Sequence, residues 1–212
     1  MEQAIQEIFD SIIGGEKDET VEKIKAAIHS GLPIETIVNG GMIGAMSEVG
    51  RRFEQGEYFV PEMLVAARAM QHGMAVVKPY LATSGIKAAG IVCIGTVKGD
   101  LHDIGKNLVS VMLEGAGFTI KDLGTDVSTE KFVEAVRTHQ PDILAMSALL
   151  TTTMPNFTPV IEALKQAGLR DTVKVLVGGA PVTTEFARDV GADAYAPDAS
   201  RAVGAAKQLV SH

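Results

Sequence analysis

The segment GIVCIGTVKGDLHDIGKNL, residues 90–108, decides the fold, because a strand pattern ends in it and a helix pattern begins. Its first eight residues form a short apolar run, rich in β-branched residues, that is typical of a buried strand. A polar loop with Asp100, His102 and Gly105 follows, and a helical pattern starts near Ile104. His102 lies between two elements and outside any apolar periodic pattern. This position favours a functional role for the histidine over a place in the core.

Beyond this segment, short apolar runs alternate with helical patterns. Such alternation predicts a parallel sheet covered by helices on both faces. Five strands fit the flavodoxin-like (Rossmann-like) doubly wound order, in which ligands bind beyond the carboxyl ends of the strands. His102 falls at that edge. The other predicted strands lie in FTIKDLG, DILAMSA, VKVLVGG and DAYAP, and helices are predicted to begin near residues 104, 129, 156, 183 and 199.

Before this segment, the chain has helical periodicity throughout. Gly14–Gly15 ends a first predicted helix, and Asp18 is the predicted N-cap of a second. Pro33 and Pro61 suit the first turns of a third and a fourth helix, the third running to about Gln55. Four helices with short connections predict an antiparallel bundle.

The chain is therefore expected to have two domains, a helical bundle at 1–85 and an α/β domain at 86–212. The segment ATSGIKAAG, residues 82–90, joins them and is either a hinge or a plain tether. Methionines are enriched in the predicted fourth helix, where they either fill the core or offer a deformable apolar surface to a flat ligand.

Composition excludes several classes of protein. The 212 residues are 46% hydrophobic and 21% charged, and no apolar run reaches the length of a membrane span. A net charge of −7 without a basic stripe argues against nucleic acid and anionic membranes as partners. The single cysteine, Cys93, excludes an internal disulfide and lies in an apolar run, which predicts a buried thiol. The acidic, amphipathic first helix is unlike a signal peptide, so a cytoplasmic protein is expected.

The loop after the first strand fits none of the common nucleotide or phosphate motifs. It has no G-x-G-x-x-G, and the GKN at 105–107 lacks the hydroxyl residue of a P-loop. A phospho-receiver domain would need an acid where the third strand ends, and Ser147 stands there.

A lone histidine without companion ligands cannot hold a bare zinc or iron ion well. His102 could instead supply one axial bond to a metal that already sits in a macrocycle, with Asp100 orienting the imidazole and Ser147 binding the carboxylate. Gly178-Gly179 would remove side chains where a bulky group approaches the backbone. Taken singly, a loop histidine can also be a solvated or capping residue, and a glycine pair an ordinary turn.

Together, DLHDIG, SAL and GG resemble the cobalamin-binding signature D-x-H-x-x-G, S-x-L and G-G. The 41 residues between Gly105 and Ser147 and the 28 between Leu149 and Gly178 match the spacing of that family. The helical half, with GEYFVPEMLVAARAM, is similar to the cap domain of the same proteins. The chain thus resembles the corrinoid methyl-carrier proteins of anaerobic methyltransferase systems and the cobalamin-binding module of methionine synthase.

The resemblance implies cobalamin bound base-off/His-on, with His102 as the lower axial and only metal ligand. Asp100 and Ser147 would complete a relay with it. Phe59, Met63 and Met70 would cover the upper face of the cofactor. The remaining residues implied in cofactor binding are Leu101, Asp103, Ile104, Gly105, Leu149, Thr151, Thr153, Gly178, Gly179 and Ala199.

The function implied is methyl transport on cobalt, with methylcobalamin as the loaded form and no catalysis by the chain alone. The partners would be a substrate-specific methyltransferase, a methylcorrinoid:tetrahydrofolate or coenzyme M methyltransferase, and a reductive activation protein. The methyl donor is left open among methanol, methylamines, betaines and aryl methyl ethers. A cobalamin-binding sensor is an alternative, disfavoured by the expected absence of an output domain. A mutase subunit is another, disfavoured because its cobalamin domain usually lacks the bundle.

Overall fold

The computed structural model describes residues 2–84 and 88–211. These form two compact units, one of residues 2–84 with Gly115–Gly117 and one of residues 88–114 with 118–211. The predicted domain boundary and part of the predicted hinge fall on residues 85–87, outside the described residues. Both stay predictions.

The first unit is helical. It contains α1 (Glu2–Ile13), α2 (Lys17–His29), a continuous helical run from Ile34 to Glu54, and α5 (Val60–Ser84). The run consists of α3 (Ile34–Thr36), a π-helical stretch (Ile37–Ile43) and α4 (Gly44–Glu54). Pro33 directly precedes α3, and Pro61 lies in the first turn of α5. The fixed φ of proline suits both positions, because it matches that of a helix start.

One helix start differs from the prediction. Glu16, not Asp18, holds the N-cap position of α2, because the Thr20 amide already donates to the Glu16 carbonyl at 2.8 Å. Asp18 therefore lies in the first turn, where its negative charge interacts favourably with the positive end of the helix dipole.

The π-helical stretch lies against α1. A Cβ on Gly40 would lie 3.2 Å from Ile5 Cγ2, and one on Gly41 would lie 3.1 Å from Ile8 Cγ2. The two glycines thus permit a close approach that larger residues would prevent. The most deeply buried side chains of this unit include Ile8, Ile12, Ile24, Ile37, Met42, Val49, Met63 and Val77.

The predicted cofactor-covering residues of this unit differ in exposure. Met63 and Met70 are buried, whereas Phe59 keeps 65% of its surface exposed. Burial of the two methionines agrees with core filling. That they cover the upper face of a cofactor stays a prediction.

The second unit is a sheet of five strands, all parallel, in the order β2-β1-β3-β4-β5. This confirms the predicted fold class, a helical amino-terminal region followed by a flavodoxin-like parallel sheet. The strands are β1 (Ile91–Thr96), β2 (Thr119–Asp122), β3 (Ile143–Ser147), β4 (Lys174–Gly178) and β5 (Ala194–Ala196). The helices are α6 (Ile104–Gly115), α7 (Thr129–His139), α8 (Phe157–Gln166), α9 (Thr184–Asp189) and α10 (Ala199–Val210).

The register of the sheet sets the position of the site. Thr96 of β1 pairs with Ser147 of β3, which pairs in turn with Gly178 of β4. The last residues of these three strands therefore lie side by side at the carboxyl edge, where the loop carrying His102 begins.

Among the described helices, none is both long and apolar enough to span a lipid bilayer.

Candidate functional site

The loop between β1 and α6 presents His102 from a fixed backbone. Gly99 has a φ of +79°, which favours glycine, and lets the chain turn directly after the strand. The hydroxyl of Thr96, itself fully buried, donates to the His102 carbonyl oxygen at 2.9 Å. The loop is therefore tied back to the end of the strand that precedes it.

Asp100 is the centre of the site. It has no exposed surface, and its carboxylate accepts four hydrogen bonds. Oδ1 accepts from the His102 amide at 3.0 Å and lies 2.6 Å from His102 Nδ1. Oδ2 accepts from the Leu149 amide and from Thr153 Oγ1, each at 2.7 Å. Two loops from neighbouring strands thus meet on one carboxylate.

These donors keep Asp100 ionised. Burial alone would raise the pKa of the carboxyl group, but the hydrogen bonds from the Thr153 hydroxyl, the His102 and Leu149 amides and the imidazole outweigh it. The pKa of Asp100 lies well below its usual range. At neutral pH the site contains a buried anion beside the imidazole.

The hydroxyl on Asp100 is a correction to the sequence prediction. Ser147 was expected to bind the carboxylate, but among the described residues the hydroxyl that does so belongs to Thr153. After β3 the chain turns, with the Thr153 amide donating to the Leu150 carbonyl at 3.0 Å, and this turn brings Thr153 back towards Asp100. Ser147 ends the strand beside Thr96 and Gly178. Thr153 had been predicted only as a cofactor neighbour.

The geometry leaves one imidazole nitrogen for a ligand. Because Nδ1 of His102 is committed to Asp100, Nε2 is the nitrogen available to a metal. The side chain is 51% exposed, so an incoming group can reach it. No group of three or more His, Cys, Asp or Glu side chains in the described part of the chain could hold a metal ion. The donor set therefore suits a metal whose other ligands come from elsewhere.

Four apolar side chains in or next to the two loops that meet on Asp100 are exposed. Leu101 and Ile104 are 73% and 80% exposed, and Leu149 and Leu150 are each 42% exposed. A cluster of exposed apolar side chains typically marks a surface that is covered by a ligand or partner. Leu150 was missed in the sequence, although its place beside Leu149 was a usable signal.

Two glycines at the end of β4 permit close approach to its neighbours, Gly179 to the residue after β3 and Gly178 to β5. Gly179 has a φ of +131°, and a Cβ there would lie 1.9 Å from the Ala148 carbonyl oxygen, so only glycine fits. A Cβ on Gly178 would lie 3.0 Å from the Ala196 oxygen. Gly105, by contrast, has nothing within 4 Å of its missing Cβ and faces open space. The donors and the glycine-lined strand ends fit a cofactor with one axial position to fill.

The other predicted residues lie around this edge. Asp103 is exposed and accepts from Asn107 Nδ2 at 3.1 Å, at the start of α6. Thr151 is exposed in the turn after β3. Ala199 is buried in the first turn of α10, beyond β5. These three contribute no hydrogen bond to Asp100 or His102 among the described contacts.

Comparison with known proteins agrees with this chemistry. Two B12 binding domain families match the chain, one over residues 90–204 and one over residues 4–78. A dimethylamine corrinoid protein of Methanosarcina barkeri is 44% identical over 99% of both chains. The chain belongs to the B12-binding corrinoid proteins. Cobalamin is thus its cofactor, as the signature predicted.

Two further proteins are similar to this corrinoid protein over nearly its whole length. A trimethylamine corrinoid protein of Methanosarcina acetivorans is 42% identical over 99% of this chain and 98% of its own length. A chain in the methanol:cobalamin methyltransferase complex MtaBC of Methanosarcina barkeri superposes with a TM-score of 0.88 and 31% identity, over 98% of this chain and 80% of that one. The resemblance inferred from the three motifs is confirmed.

Proposed function

We propose that this corrinoid protein carries a methyl group on its cobalamin from a substrate-specific methyltransferase to an acceptor methyltransferase, in the cytoplasm. The cofactor would be bound base-off, with His102 Nε2 as the lower axial ligand of cobalt. The observation that supports this most is the imidazole held through Nδ1 on a buried, ionised carboxylate, with its other nitrogen open to a ligand.

When bound, the cobalt of the cofactor would supply the nucleophilic chemistry of methyl transfer, and the chain's residues would tune it. Asp100 Oδ1 accepts a hydrogen bond from the protonated Nδ1 of His102, and this fixes the tautomer that leaves a lone pair on Nε2. Thr153 and the Leu149 amide hold the carboxylate from its other side, so the imidazole has one preferred orientation.

Asp100 would also balance charge when His102 leaves the metal. A proton then has a place at Nε2, and the carboxylate stabilises the resulting cation without itself being protonated. On this proposal, His102 would take up a proton at Nε2 when the bound cofactor is reduced, and in Asp100→Ala most of that uptake would disappear. Proton release and uptake measured with a pH indicator during reduction would check it.

The proposed methyl donor enzyme is a methylamine methyltransferase. Relatives named for dimethylamine and for trimethylamine are 44% and 42% identical to this chain, against 31% for the chain from the methanol complex. The acceptor is tetrahydrofolate or coenzyme M, through a second methyltransferase, and a reductive activation protein restores inactive cofactor. Comparing the methylation of the bound cofactor by purified dimethylamine, trimethylamine and methanol methyltransferases would rank these enzymes as methyl donors to this chain. Preferential methylation by the methanol enzyme would contradict the methylamine assignment.

The axial ligand is tested most directly by electron paramagnetic resonance. Protein labelled with 15N in its histidines is loaded with cob(II)alamin, beside unlabelled protein. If His102 is the ligand, the nitrogen splitting changes from triplets to doublets on labelling, and His102→Ala loses the change. His29→Ala, at an exposed histidine in the last turn of α2, is the matched control. If the nitrogen splitting is the same in labelled and unlabelled protein, the cofactor's own base is the axial ligand of cobalt.

A further inference from the structure

Lys106 is a buried cation in the first turn of α6, directly beyond the loop that carries His102. Only 3% of its surface is exposed. Its Nζ donates to Asp122 Oδ2 and to Asn107 Oδ1, each at 2.6 Å. A buried ammonium group is costly unless it is paired, so this contact joins α6 firmly to the carboxyl end of β2.

Asp122 also reaches the other end of the same loop. Its Oδ1 accepts from the Gly124 amide at 2.9 Å, and the Gly124 carbonyl accepts from the Thr96 amide at 3.0 Å. Thr96 is the last residue of β1 and binds the His102 carbonyl through its hydroxyl. Thr96, just before the loop, and Lys106, in the first helical turn after it, are therefore both tied to residues 122–124.

The middle of the loop is held by the same segment. Asp126 Oδ1 accepts from the Gly99 amide at 2.7 Å, and the Asp126 amide donates to the Asp100 carbonyl at 3.0 Å. The bonds from Thr96 and Asp126 reach the backbone of the loop, and none of the contacts in this chain of hydrogen bonds reaches the imidazole. They fix where Nε2 lies and leave its proton chemistry to Asp100.

We propose that the ion pair between Lys106 and Asp122 is a positioning device for axial ligation, holding the loop where His102 Nε2 meets cobalt. This inference rests on the axial role proposed above for His102. Residues behind a metal ligand typically change metal affinity by about 10–100-fold. Because Lys106 acts one step further away, we expect a loss of about tenfold in the affinity of His102 for the metal.

The test is the midpoint potential of the cob(II)alamin/cob(I)alamin couple in the full chain. His102 binds the oxidised member, and the reduced member carries no axial base, so weaker ligation makes the potential more positive. A tenfold weaker bond shifts a one-electron couple by about 59 mV. Lys106→Met keeps the apolar stem and most of the bulk of the side chain, and Asp122, whose side chain is about half exposed, remains in contact with water. His102→Ala gives the potential for complete loss of the ligand.

A matched control removes a similar ion pair from the other edge of the sheet. Arg170, in the turn before β4, binds Asp193 at 2.8 Å, and both side chains are largely buried. Arg170→Met should lower the free energy of unfolding while leaving the potential as in the wild type. Asp122→Ala is the second variant. It should shift the potential as Lys106→Met does, and the double variant should add little, because the two side chains act as one unit.

The outcomes are distinct. A shift in Lys106→Met with none in Arg170→Met supports the proposal. If the midpoint potential of Lys106→Met equals that of the wild type while that of His102→Ala is shifted, the positioning role of the ion pair is overturned and the axial role of His102 is retained. Equal shifts in both methionine variants mean general loosening of the domain, which also overturns it. If His102→Ala itself leaves the potential unchanged, the axial ligation fails and this inference fails with it.

Discussion

At the scale of single residues, the buried carboxylate of Asp100 accepts a hydrogen bond from the hydroxyl of Thr153. Among the described residues, this is the only side-chain hydroxyl that donates to it. Thr153→Val keeps the shape and removes that donor. We expect a loss of about 1–3 kcal/mol in the free energy of unfolding, because a buried charged acceptor loses a partner. Ser147→Ala should cost much less. Urea unfolding of the three proteins checks this, and an equal loss in Ser147→Ala would restore the serine to the role first predicted for it.

The sequence alone could not choose between these two hydroxyls. The spacing of the signature places Ser147 at the end of a strand at the correct edge, and the site was predicted to that level. Which hydroxyl reaches Asp100 depends on the turn at Leu150–Thr153, whose path is set by backbone hydrogen bonds that the pattern of residue types does not show. The Asp100–His102 pair was predicted because both residues lie in one short loop.

The lowered pKa of Asp100 predicts that the free energy of unfolding depends on pH in the acidic range. Its pKa is lower in the folded chain than the value of about 3.9 in unfolded peptides. Its ionisation therefore adds stability above pH of about 4, and this contribution is lost as the pH falls towards the folded pKa. The difference in unfolding free energy between wild type and Asp100→Asn should thus narrow from pH 7 to pH values below about 4. Urea titrations across that range check it, and a constant difference would contradict it.

The glycines of the site should respond in opposite ways to alanine. Gly179→Ala puts a Cβ against the Ala148 carbonyl at a positive φ, so we expect the domain to lose about 3 kcal/mol or more, or not to fold. Gly105→Ala meets open space within a helix, where alanine is preferred by about 1 kcal/mol. Thermal unfolding separates the two, and a destabilised Gly105→Ala would show that a neighbour had been overlooked.

At the scale of elements, Cys93 reports on the integrity of β1. The residue is fully buried between β2 and β3, and burial raises the pKa of its thiol to about 11. The reactive form is the thiolate, so we expect no reaction with a thiol reagent in the native protein at pH 8 and rapid reaction in urea. The native rate should rise only as the pH approaches about 11. A fast native reaction at pH 8 would mean that the central strand opens locally.

The elements themselves were largely predictable, because short apolar strands and amphipathic helices have different periods. All five strands lie within the predicted segments, and the five helices α6 to α10 begin at or next to the predicted residues. The π-helical stretch was not predicted. Its side chains still follow a nearly helical repeat, and the change lies in backbone hydrogen bonds that residue types do not specify.

At the scale of the whole molecule, cobalamin should stabilise the folded chain by mass action. A ligand that binds only the folded state at one hundred times its dissociation constant adds about 2.7 kcal/mol. The melting temperature of the wild type should therefore rise with cofactor concentration, and His102→Ala should show a smaller rise at equal concentration. Circular dichroism melts measure this, with His29→Ala as the control. Equal rises in the melting temperature of all three proteins would show that His102 does not contribute to cofactor binding.

The helical run from Ile34 to Glu54 can absorb a change in chain length that most helices cannot. Inserting one residue into an α-helix rotates everything beyond it by about 100°, because each turn holds 3.6 residues. A π-helical turn already holds one residue more than an α-helical turn. A relative that lacks one residue between Ile37 and Ile43 can therefore keep α4 on the same face by forming regular α-helix there. Single-residue gaps among homologues are expected to fall in this stretch and to be nearly neutral.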